Sequence, residues 1–87
     1  MKKLVIIIVG PRGSGKTHRL KWLKQQVTNR VLVIDNCSIP EYLRALHSAV
    51  DTLIVTMDSA QYENLPLSSI LPSRNRIVKT EVLTKEF

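Results

Sequence analysis

At 87 residues, 44% of them hydrophobic and 23% charged, the chain is long enough for one small globular domain and too short for two cores, and its composition excludes collagen-like, coiled-coil and disordered architectures. The single cysteine, Cys37, with only His18 and His47 as further soft donors, excludes an internal disulfide and any zinc-ligand spacing and fits a reducing cytoplasm. The net charge of +6 is uneven, because residues 1–34 carry eight Lys and Arg and no acid while the remainder is net acidic, so the first third is expected to face something anionic.

In chain order, Met1-Lys2-Lys3 precedes an apolar run, Leu4 to Val9, that meets Gly10-Pro11-Arg12 at once and has no small-residue cleavage site. It is read as a strand and not an export signal. No stretch approaches the roughly 20 apolar residues that would span a membrane. The run is mostly β-branched, the pattern of a strand buried on both faces in a parallel sheet. After a glycine-rich turn, the spacing of Leu20, Leu23 and Val27 predicts an amphipathic helix from Thr17 to about Thr28. Val31 to Ile34 predicts a second buried strand closing on Asp35. Ser38-Ile39-Pro40-Glu41 has the form of a capping box, and the helix it opens is expected to reach about Ala49. Leu53 to Met57 or Asp58 predicts a third strand. Pro66 and Pro72, among Ser and Asn, place a loop with one turn of helix over 59–73. Ile77 to Leu83 predicts a fourth strand at a half-exposed edge. The expected fold is therefore a small α/β domain over residues 1–87, with a mainly parallel sheet of about four strands and two main helices in two or three layers.

Gly10-Pro11-Arg12-Gly13-Ser14-Gly15-Lys16-Thr17 matches G-x-x-x-x-G-K-[ST] at every position. Glycine allows successive N–H groups to turn inward as an anion nest, and the positive end of the following helix adds to it. Lys16 is expected to reach the β- and γ-phosphates of a nucleotide, and the Thr17 hydroxyl to coordinate Mg²⁺. His18, next in sequence, is a further nucleotide-contact candidate. A glycine-rich turn without a ligand is the competing reading.

On these residues the chain resembles the P-loop NTPases, with Gly10 to Thr17 similar to their Walker A segment. The resemblance implies ATP with Mg²⁺ as cofactors and an aspartate at the end of a hydrophobic strand to hold the metal through water. Asp35 is favoured for that place because four aliphatic residues precede it; Asp58 is the alternative. Asn36 then stands where the ATPase branch with a catalytic glutamate has that residue. Thr56 or Asp58 corresponds to a polar sensor near the γ-phosphate. Pro72-Ser73-Arg74-Asn75-Arg76 is similar to the region that supplies an arginine finger to a neighbouring subunit, which makes Arg74 a catalytic candidate in ring-forming assemblies.

The leading expectation is a nucleotide-binding protein, a slow or partner-dependent ATPase in a process that involves DNA or RNA held through the basic first third. It is accompanied by a homo-oligomer or a larger protein partner and by no membrane. A non-enzymatic module that binds phosphate or nucleic acid is the alternative, and a small-molecule kinase a weaker one. Trp22, between Lys21 and Lys24, could stack on a base, but packing against the sheet is the preferred expectation. Cys37 is expected to be a small buried residue.

Overall fold

The computed structural model of the chain describes residues 2–84. The β-branched run becomes β1 (Lys3–Val9), and the helix that follows the glycine-rich loop is α1 (Lys16–Gln26). Next come β2 (Val31–Ile34), α2 (Ile39–Ala45) and β3 (Thr52–Met57). Two short helices, α3 (Ser59–Glu63) and α4 (Leu67–Ile70), precede β4 (Arg76–Val82). Every strand pairing is parallel, and the sheet order is β2-β3-β1-β4. Parallel neighbours need crossovers, and the helices supply them on both faces.

Alternation along the strands sorts the core into two parts. Val5, Ile7 and Val9 of β1, with Leu53, Val55 and Met57 of β3, pack with Tyr42 and Ala45 of α2 and with Leu65 and Ile70. The intervening Ile6, Ile8 and Ile54 pack with Leu20 and Leu23 of α1 and with Val27 just past its end. The fold is a three-layer α/β/α sandwich in which β1 and β3 are the buried centre, as their continuous apolar runs require.

Several local expectations are revised. β2 is half-buried along its length because it lies at a sheet edge and pairs only with β3. α2 stops at Ala45, not near Ala49. Its last carbonyls are taken by tighter bonds, His47 N–H to Arg44 O and Ser48 N–H to Ala45 O, and Lys3 Nζ donates to the carbonyls of Leu46 and Ser48. The 59–73 segment forms two short helices where one turn was expected. Trp22 does not pack against the sheet: it is 47% exposed, one face covered by the Arg19 guanidinium 4.7 Å from the ring centroid. Leu20 and Leu23 fill the buried face of α1, which turns Trp22 towards solvent.

Candidate functional site at the carboxyl ends of β1, β2 and β3

Because all strands run the same way, the loops after β1, β2 and β3 share one end of the sheet, where ligands of open parallel sheets bind. A cleft of about 670 Å³ lies there, between Arg12, Gly13, Gly15, Lys16 and Thr17 on one side and Asp35, Asn36, Thr56 and Asp58 on the other. The first wall is cationic and rich in N–H groups. The second carries carboxylates and a hydroxyl.

The loop owes its shape to glycine. Gly13 and Gly15 have φ of 83° and 89°, a region that side chains rarely adopt. Gly10 is buried below them, where a Cβ would stand 2.6 Å from Ser14 Oγ and 2.9 Å from the Leu83 carbonyl oxygen. Among the described residues the N–H groups of Arg12, Gly13 and Gly15 have no backbone acceptor. Gly15 precedes α1 at the N-cap position and supplies no side-chain cap, whereas Ser38 caps α2 and Asp58 caps α3. The positive end of the longest helix is thus left open to the cleft. Lys16 Nζ donates to the Gly10 carbonyl at 2.7 Å, so the ammonium is folded over the loop at the mouth of the same nest.

Opposite, the order of strands joins residues distant in sequence. Thr17 Oγ1 donates to Asp35 Oδ2 at 3.0 Å. Thr56, fully buried in β3, donates its hydroxyl to Asp35 Oδ1 and accepts the Asn36 N–H at 2.7 Å. Asn36 has φ of 56°, and the adjoining Cys37 N–H donates to the Thr56 carbonyl at 2.7 Å. The Thr56 hydroxyl, foremost, then those of Thr17 and the Asn36 amide, hold the Asp35 carboxyl below its usual range against the opposing effect of burial, and Lys16 adds to this. Asp35 is therefore ionised at neutral pH and held by two hydroxyls.

Asp58 also lines the cleft, but its carboxylate accepts the Gln61 N–H at 2.8 Å as the N-cap of α3. Between the two candidate aspartates, only Asp35 is bonded to Thr17. Among the described residues no three His, Cys, Asp or Glu side chains cluster to hold a metal. Thr17 Oγ1 and Asp35 nonetheless form the hard oxygen pair that suits Mg²⁺ when phosphate oxygens and water complete its shell. The donors fit a cation that arrives with its phosphates, not one resident on protein ligands alone.

Other candidates fall elsewhere. Pro11 and His18 are exposed and do not line the cleft; one residue beyond Thr17, His18 is turned about 100° round the helix axis. Ser14 Oγ is enclosed beside Gly10, without a hydrogen-bond partner. Arg74 is not in the cleft. It precedes β4, whose first residue Arg76 is in register with Lys3, so it lies at the amino end of the sheet. The length of β1, about 20 Å, separates it from the loop, and it can reach such a cleft only in another copy.

The tie between Thr56 and Asp35 escapes a reading of the sequence, because it depends on β2 and β3 being neighbours. Compared with protein-family models, with curated proteins and with solved structures, the chain matches none. Among the described residues no helix is long and apolar enough to cross a membrane.

Proposed function

We propose that this chain is a minimal P-loop protein that binds ATP with Mg²⁺, a slow or partner-dependent ATPase acting in the cytoplasm in a process involving nucleic acid. The observation that carries the reading is the 3.0 Å bond between Thr17 and Asp35, residues eighteen apart in sequence, formed beside Lys16 at an uncapped helix start. In this reading the loop N–H groups and Lys16 hold the triphosphate, with Lys16 exchanging the Gly10 carbonyl for phosphate oxygens. Bound Mg²⁺ would neutralise phosphate charge. Thr17 and Asp35 would hold it, and Thr56 would keep the Asp35 carboxylate turned towards the cleft. Asn36 can neither accept nor relay a proton as a carboxylate would, which is why turnover is expected to be slow.

The nucleic-acid part rests on the surface of α1. Exposed Trp22 carries the Arg19 guanidinium over one ring face, on a helix whose surface also bears exposed Lys21 and Lys24, which offers an aromatic face among positive charges. Asn36 in place of an acid also favours a second reading, a non-enzymatic module in which nest and basic helix bind phosphates alone. Arg74 enters only as a residue donated by a second copy, so Arg74→Ala should leave nucleotide binding by a single chain unchanged.

The test is phosphate release with and without single-stranded DNA. We expect low basal turnover, stimulation by DNA, and a fall of about tenfold or more in Asp35→Ala, because the variant would lose a holder of the cation that neutralises the transferring phosphate. Salt-sensitive DNA binding with no release under any condition would leave the non-enzymatic module. Equal release by wild type and Asp35→Ala would remove Asp35 from the chemistry.

A further inference from the structure

At the other end of the sheet, about 20 Å from the glycine-rich loop, a second cleft of about 560 Å³ lies between the end of α2, the turn before β4 and the first residue of β1. Its polar lining includes Lys3, His47, Ser73, Asn75 and Arg76, and Leu43 and Leu46 form an apolar wall. Lys3 and Arg76 are direct register partners on β1 and β4. Each is tied to carbonyls, Lys3 to Leu46 and Ser48 and Arg76 to Ser69. Neither forms an ion pair among the described residues, whose two salt bridges are Arg19–Glu81 and Arg30–Asp51, and no carboxylate lines the cleft. Burial, and then the nearby Arg76 charge, press the Lys3 ammonium towards its neutral form. Two like charges are thus held side by side with a histidine, a hydroxyl and an amide around them.

Such a lining is rich in donors and matches an anion with several acceptor oxygens. The apolar wall calls for an organic group beside it, and the volume is that of a small-molecule pocket. We propose that this cleft is a second anion site, independent of the nucleotide reading, that takes a phosphate monoester with its phosphate at Lys3, Arg76 and His47 and its organic part over Leu43 and Leu46. The monoester is either a free small molecule or the 5′-phosphate end of a nucleic acid.

The test uses the full-length, ¹⁵N-labelled chain carrying Lys16→Ala, so that failure or success of the glycine-rich loop does not enter. It is titrated with inorganic phosphate, phenyl phosphate, and a thymidine dinucleotide with and without a 5′-phosphate. Saturable amide shifts are expected at His47, Ser73, Asn75 and Arg76 with a dissociation constant of about 1 mM or tighter, and tighter for phenyl phosphate than for inorganic phosphate. Asn75→Glu, at an exposed position, places a carboxylate in the lining and should weaken binding about tenfold or more. His47→Ala should weaken it less, and both variants should keep the remaining spectrum. Binding that requires the 5′-phosphate of the dinucleotide assigns the site to nucleic-acid ends; binding of phenyl phosphate alone assigns it to a small ester. Shifts that fail to saturate, or that are unchanged in Asn75→Glu, overturn the proposal.

Discussion

Gly10 and Asp35 show how single atoms set the site. A methyl group at Gly10 would press on Ser14 Oγ and on the Leu83 carbonyl, and the carbonyl belongs to backbone bonded to Val9 at 2.7 Å. Gly10→Ala should therefore cost about 1–3 kcal/mol, the usual cost of overpacking, as a lowered urea midpoint with an unchanged slope. Asp35 is held below the ordinary carboxylate range mainly by Thr56. A depressed folded value contributes stability above the unfolded range near pH 4, which is lost as pH falls through the lowered value. In Thr56→Val, similar in volume, the Asp35 midpoint followed by ¹³C NMR should rise towards the ordinary range. An unchanged midpoint would show that the hydroxyl does not hold the carboxylate. The turn after β1 was legible because Gly13 and Gly15 stand where the backbone takes a positive φ, a conformation that glycine adopts readily. The positive φ of Asn36 was not, because asparagine is only one of the residues that tolerate it.

Helix ends were legible wherever the signal is local. Ser38 and Glu41 form the capping box the sequence announces: Glu41 N–H donates to Ser38 Oγ at 3.3 Å, and Ser38 N–H to Glu41 Oε1 at 3.2 Å. Ser38→Ala should cost about 1 kcal/mol in chemical unfolding. Where α2 ends was not legible, since Lys3, more than forty residues away, binds the carbonyls just beyond it. Strand identity followed from apolar runs, but strand order did not, because local periodicity says nothing about which parallel strands become neighbours. The order decides the site: β3 between β1 and β2 puts Thr56 against Asp35. Trp22 went astray for a related reason. Its hydrophobicity argued for burial, while its place on the helix, about 200° round from buried Leu20, put it outside.

Across the whole molecule, the three layers separate a cleft at the carboxyl ends of the strands from a basic cleft at their amino ends. Cys37 tests the integrity of the layers between. Burial, and then Glu41, push its thiol up to about 11, so a thiol reagent at pH 8 should label it only as fast as the fold opens. Rapid labelling of the native chain would contradict the closed packing around α2. The most direct test of the nucleotide reading is a calorimetric titration of Mg-ATP into wild type and Lys16→Ala. Saturable binding to wild type, weakened about tenfold or more by the substitution, is the expected result. Equal heats for the two proteins, or binding by neither, would contradict it.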